Sequence, residues 1–252
     1  MQLRYLETGA RPAAFNMGLD EAVLDEVAAG RSQPTLRLYA WKPWAVSLGY
    51  FQGLNDEVDR EACSASGVDV VRRVTGGGAV FHAAELTYSI VVPESHPLAA
   101  GSILDSYRSI CGGLVLGLSS LGIPAEFAPL NDVVAGGKKL SGNAQTRKKG
   151  CLLQHGTVLL DVDVDQMFAL LKVPNEKLKG KLIADVKARV SSVSAMLGRP
   201  FGYDEAVATF RPAFASAFGA ELAPGQPTEA ELAGAERLAA EKFGTLAWTA
   251  KR

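Results

Sequence analysis

Apolar positions along this chain recur in two periods. Phe15, Leu19, Val23 and Val27 follow Pro12 at helical spacing and predict an amphipathic helix that Gly30 closes. Short apolar or alternating runs predict strands over 3–7, 36–39, 44–48, 68–71 and 85–92, with a turn at Lys42-Pro43 between the second and third. Residues 56–65 read as a short helix ended by Gly67, and 103–121 as a long one softened by Gly112, Gly113 and Gly117. Farther on, 131–134 and 139–145 flank the tight turn Ala135-Gly136-Gly137, and 151–160 is strand-like. Residues 163–171 and 203–218 are helical in pattern. The stretch from Ala223 to Thr228 reads as a linker, and Thr228 with Glu231 three residues on is a capping box opening a last helix. Strands in neighbouring runs with helices between them predict one α/β (α+β) domain over 1–252, a mixed sheet flanked by helices, with 228–252 as a helical extension.

Composition narrows the partners. Of 252 residues, 48% are hydrophobic and 21% charged, which suits a globular chain with a substantial core. The formal net charge of −1 leaves no overall basic field for nucleic acid. A phosphorylated ligand would have to meet a local cluster: Arg72-Arg73, Lys138-Lys139 or Arg147-Lys148-Lys149. Cys63, Cys111 and Cys151 are widely spaced and form no metal-ligand pattern with His82, His96 or His155. The N-terminus lacks a signal-peptide pattern and no apolar run approaches the roughly 18 residues that span a bilayer, so a cytoplasmic protein is expected.

The chemistry concentrates at Arg72-Arg73-Val74-Thr75-Gly76-Gly77-Gly78-Ala79-Val80-Phe81-His82. Three glycines let backbone N–H groups converge, and Arg73 and Thr75 beside them suit a phosphate; the same glycines would also serve a plain turn between strands. Lys139, ahead of the small residues Ser141 and Gly142, can meet a carboxylate, a phosphate or a developing oxyanion. The hairpin around Gly136-Gly137 would bring Asn131 and Asp132 near it. An amide, a carboxylate and a lysine in one cleft suit a nucleotide with its magnesium.

Taken together, the glycine segment, Asn131-Asp132-Val133, Gly137-Lys138-Lys139-Leu140-Ser141-Gly142-Asn143-Ala144 and His155-Gly156-Thr157-Val158-Leu159-Leu160 resemble the lipoate–protein ligase A family. Phe15-Asn16-Met17-Gly18-Leu19-Asp20-Glu21-Ala22 and Ala188-Arg189-Val190-Ser191-Ser192-Val193 resemble it too. The resemblance implies a fold akin to biotin protein ligases and class II synthetase cores. It implies two steps with lipoate as substrate and ATP and Mg²⁺ as cofactors: formation of lipoyl-AMP, then transfer to a lysine of a lipoyl carrier domain, of the 2-oxoacid dehydrogenase E2 or glycine cleavage H type. By position, Lys139 is the essential lysine. Arg73, Thr75, Gly76, Gly77, Gly78, Ala79, Val80, Phe81, His82, Asn131, Asp132, Gly142 and Ala144 would bind ATP and the adenylate, with Asp132 on the metal.

Two departures from the pattern bear on function. Many such ligases carry a C-terminal accessory domain; this chain resembles the short form, which implies a separate accessory protein. The octanoyltransferases of the same superfamily are also similar, especially over 141–150 and 153–156, and hold the acyl group on a cysteine. Cys151 is the candidate here, offset by about one residue. In one branch of those transferases the cysteine lies shortly before the sequence matching Asn131-Asp132, and Phe127-Ala128-Pro129-Leu130 has none. ATP-dependent lipoate ligation is therefore the leading expectation, octanoyl transfer through a Cys151 thioester the first alternative, and a non-catalytic subunit that binds lipoyl-adenylate or carrier domains the second.

Overall fold

The computed structural model describes residues 1–173 and 179–252. The chain opens with strand β1 (Gln2–Arg11) and helix α1 (Ala13–Ala28), then β2 (Thr35–Trp41) and β3 (Ala45–Leu48). The helix departs from expectation in one respect. It is buried nearly all round rather than along one stripe, Asn16, Asp20 and Glu21 included. A helix of that kind must be covered on two sides. Strands β2 and β3 also differ from the expected pair: they lie in different sheets, so the Lys42-Pro43 segment crosses between sheets.

Helices α2 (Leu54–Glu57) and α3 (Arg60–Ala65) divide the single helix expected at 56–65. After them come β4 (Asp69–Arg72), β5 (Val80–His82) and β6 (Glu85–Pro93), then α4 (Ile103–Ser120), β7 (Ala125–Ala128), β8 (Asp132–Ala135), β9 (Lys138–Lys148) and β10 (Cys151–Leu159). The remainder is α5 (Val164–Leu170), α6 (Lys179–Arg189), α7 (Val193–Leu197), α8 (Tyr203–Phe218), β11 (Glu221–Pro224), α9 (Glu229–Leu238) and α10 (Leu246–Thr249). Strand β11 occupies the start of the expected linker. It lies at the sheet edge parallel to β1, and an edge strand tolerates the missing N–H of Pro224.

Eight strands form one mixed sheet in the order β11-β1-β2-β6-β10-β9-β8-β7, and β4-β3-β5 form a second, small sheet. One face of the large sheet is covered by α4 and α8. Gly113 and Gly117 give α4 a smooth face there: a Cβ at either would collide with the ring of Phe214 or Phe210. The two rings are fully buried and contribute roughly 1.5–3 kcal/mol each. On the other face lies α1, and α9 lies against α1 where Gly18 lets the backbones meet; a Cβ there would stand 2.6 Å from Ala235 O. The capping box at Thr228 and Glu231 opens α9 as the sequence indicates. Glu231 does more, because its fully buried carboxylate accepts from Arg4 of β1. No helix among the described residues is long and apolar enough to cross a membrane.

Candidate active site

The small sheet stands off the large one, and the gap is a cleft of about 540 Å³ open to solvent. It adjoins a wider cleft of about 1280 Å³. Val80, Lys139, Gly142 and Thr157 line both, so they mark the junction. The inner cleft has an apolar back of Met17, Tyr39 and Trp41; Ala79, Phe81 and Trp44 line the outer one. Lys139 lies on β9 opposite Val134 of β8, and its Nζ is 2.7 Å from Asp132 Oδ1. Gly142 leaves the space this requires: a Cβ there would sit 2.8 Å from Lys139 Nζ. The expected hairpin thus brings Asp132 to Lys139.

Arg73 departs from expectation. It is buried rather than free to clamp a phosphate, and its guanidinium donates to Ser47 O, Ser47 Oγ, Gly76 O and Gly78 O at 2.8–2.9 Å. Burial pushes its pKa down to about 10, which still leaves it charged at neutral pH. Arg72 is fully buried too. It donates to the carbonyls of Gly49, Tyr50 and Gln52 on one side and of Trp248 and Thr249 on the other. Arg72 ties the 49–52 segment to the C-terminal helix, Arg73 holds the glycine loop, and neither waits for a ligand. Within that loop Gly77 has φ +97°, open to glycine and costly for other residues, and a Cβ on Gly49 would collide with Gly77 O.

His82 stacks on Trp41 with centroids 4.0 Å apart. Its Nε2 is 2.7 Å from Ser47 Oγ and its Nδ1 2.7 Å from Glu85 Oε1. Thr75 is buried beneath the cleft, its Oγ1 2.7 Å from Nε2 of His155, whose Nδ1 is 3.3 Å from Asp20 Oδ2. Asn131 Nδ2 donates to Asn143 O, and Asn143 Nδ2 returns a bond to Asn131 O at 2.9 Å. Tyr88 donates to Asn143 Oδ1 at 2.7 Å and accepts from Gln154 at 2.7 Å, so side chains of β6 and β10 tie the hairpin across the large sheet. Gly77, Gly78, Gly142 and Ala144 line the inner cleft, and Gly76 lies beside it within the loop.

Sequence reasoning missed Met17, Tyr39, Ser47 and Glu85, which read as parts of a helix or strands, and Trp41, which lay between two expected strands. One signal was available: Asn16 and Asp20 interrupt an apolar helix, and Asp20 proves to be a hub. Its carboxylate pairs with Arg37 at 2.8 Å and accepts from Ser89 at 2.7 Å and Tyr39 at 3.1 Å.

Cys151 does not belong to the site. It begins β10 opposite Pro93 and Lys148, 2% exposed, packed with Leu6, Val91 and Leu153. His155 lies four positions farther on, roughly 13 Å along a strand. Burial raises the thiol above its ordinary value, and Glu94 adds to the shift, the reverse of what a nucleophile needs. Cys63 and Cys111 are buried as well, pushed up by burial to about 11 and about 12. Among the described residues no group of three or more His, Cys, Asp or Glu could hold a metal ion. Asp132, the expected magnesium ligand, is paired with Lys139.

Comparison with known proteins agrees with the fold and corrects the function. The family described as "Lipoyl protein ligase A/B catalytic domain" matches residues 12–215. "Octanoyltransferase LipM" of Brevibacillus brevis is 38% identical over 100% of this chain and 99% of its own length. "Octanoyltransferase LipM" of Kyrpidia tusciae is 43% identical over 94% of this chain and 95% of its own. Among solved structures, a bi-partite lipoate protein ligase of Thermoplasma acidophilum, studied with its E2 lipoyl domain, superimposes with a TM-score of 0.90 at 30% identity, over 99% of this chain and 96% of that one. Full-length relatives that are octanoyltransferases overturn the expectation of ATP-dependent lipoate ligation and leave ATP and Mg²⁺ without support. A catalytic-domain match over most of the chain, on a mixed sheet of the ligase type, leads to one conclusion: this chain belongs to the lipoyl protein ligase A/B catalytic domain family.

Proposed function

We propose that this enzyme transfers an octanoyl group from the thioester of an acyl carrier to a lysine amine of a lipoyl carrier domain, of the E2 or H type. The observation that carries the reading is full-length similarity to curated octanoyltransferases. The cleft is compatible with it: an apolar inner end suits an acyl chain, and Lys139 stands where that space meets the wider outer cleft. The reading keeps octanoyl transfer and drops the Cys151 thioester, because Cys63, Cys111 and Cys151 all lie outside the cleft lining.

The acyl group then passes in one displacement. The carrier-lysine nitrogen bonds to the thioester carbon, the C–S bond breaks, and the departing thiolate takes up the proton the amine loses. Lys139 stabilises the oxyanion formed in between, and the cleft aligns the two carriers. The test is an incubation with octanoyl-acyl-carrier protein and apo lipoyl domain, without ATP, followed by mass spectrometry. An octanoyl mass gain on the lipoyl domain, matched by free carrier thiol, is expected. Modification that requires free acid and ATP would overturn the reading.

A further inference from the structure

Arg73 is a buried cation whose guanidinium bonds only oxygens of neutral groups: Ser47 O, Ser47 Oγ, Gly76 O and Gly78 O. The nearest balancing charge along its hydrogen bonds is Glu85, reached through Ser47 and His82. The proton directions along this path follow from its ends. Trp41 Nε1 donates to Thr87 Oγ1 at 2.7 Å, which frees the threonine hydrogen for Glu85 Oε1 at 2.6 Å. A carboxylate oxygen only accepts, so His82 donates to it from Nδ1, and in a neutral ring Nε2 is left an acceptor. Ser47 Oγ accepts from Arg73 and gives its own hydrogen to Nε2. With a neutral His82, every bond of the path has one donor and one acceptor, while Glu85 Oε2 stays buried without a partner among the described residues.

At the far end the relay sets the glycine loop. A trans peptide carries C=O and N–H on opposite edges, so turning Gly76 O and Gly78 O onto Arg73 turns the N–H groups of Gly77 and Ala79 away from it. Gly77 lines the inner cleft and Ala79 the outer, and neither N–H has a hydrogen-bond partner among the described residues. We propose that Glu85, His82 and Ser47 are positioning residues that lock Arg73 on the glycine loop, so that the N–H groups of Gly77 and Ala79 receive the oxyanion formed when the acyl carbonyl is attacked. The identity of the oxyanion rests on the acyl-transfer reading; the proton arrangement does not.

The experiment uses the full chain. In nitrogen-15 spectra of the imidazoles, His82 should carry its proton on Nδ1 with Nε2 bare. Ser47→Ala should lower kcat at least about tenfold with KM within about twofold, and Ser47→Thr, which keeps a hydroxyl, should recover most of it. Glu85→Gln should show the same split. An Nε2-protonated His82, a Ser47→Ala enzyme with wild-type kcat, or an octanoyl ester found on Ser47 would each overturn the relay. Failure of the acyl-transfer reading looks different: wild-type enzyme would not turn over, while the His82 spectrum still decides the relay.

Discussion

Lys139 Nζ and Asp132 Oδ1 meet at 2.7 Å across the hairpin of β8 and β9, with side chains 39% and 33% exposed. An ion pair this open to water contributes about 1 kcal/mol at most to stability, so its place at the junction of two clefts is a matter of chemistry. Lys139→Ala should therefore cost about a hundredfold or more in kcat for octanoyl transfer and leave Tm nearly unchanged. Steady-state kinetics beside a thermal melt checks this, and a variant of full activity would make Lys139 a mere turn lysine.

Cys151→Ser separates transfer through a thioester from direct transfer. The thiol sits among Leu6, Val91 and Leu153, so a serine hydroxyl there loses water without gaining a partner, a cost of about 1–3 kcal/mol. Transfer at a temperature where the variant is folded should stay near wild type. Abolished transfer by a folded variant would restore the cysteine mechanism.

Gly49→Ala probes the backing of the glycine loop. Its added methyl collides with Gly77 O, and backbone cannot swing aside as a side chain can. The variant should lose about 1–3 kcal/mol in urea unfolding and at least about tenfold in kcat. Unchanged kcat would mean that the loop need not hold its place.

Much of this was legible in the sequence, and the exceptions share a cause. Helix α8 appears at its expected bounds because Phe210, Phe214 and Phe218 repeat every four residues between Gly202 and Gly219. The hairpin carrying Lys139 was signalled by Gly136 and Gly137, both at positive φ. Strands β3 and β4 were expected at 44–48 and 68–71, but their separation into a second sheet was hidden, and β5, with three residues, is too short to display a period. Arg73 shows a different limit. A guanidinium turned inward onto carbonyls and one turned outward to a phosphate are the same letters. Likewise nothing local distinguishes a core cysteine from a nucleophile offset by one residue.

Acid should weaken the fold through His155 and Asp20. Burial holds His155 below its ordinary value despite the hydrogen bond and charge of Asp20. The unfolded chain therefore binds a proton near pH 6.5 that the folded chain refuses, and stability falls as pH drops through that value. Burial alone would raise Asp20, but the hydrogen bond from His155 and the charge of Arg37 outweigh it and lower the carboxyl. Its contribution is present above the unfolded value and is lost at still lower pH. Urea midpoints should fall between about pH 7.5 and about pH 5, and His155→Gln should flatten that window. A flat wild-type profile would contradict the assignment.

The Asp20 hub has a consequence for motion. Helix α1 cannot fray inward as an ordinary surface helix does, because lifting Asp20 away would strand Arg37, Ser89 and His155 on three different strands, each without its buried partner. Neighbouring Asn16 adds further ties, donating to Arg11 O and Ala40 O and accepting from Arg37. The amide protons around Asn16 and Asp20 should thus exchange with solvent only when the whole domain opens, among the slowest in the molecule. The floor of the cleft is then as long-lived as the fold itself, and any motion that admits a ligand must come from the parts of the cleft that α1 does not hold.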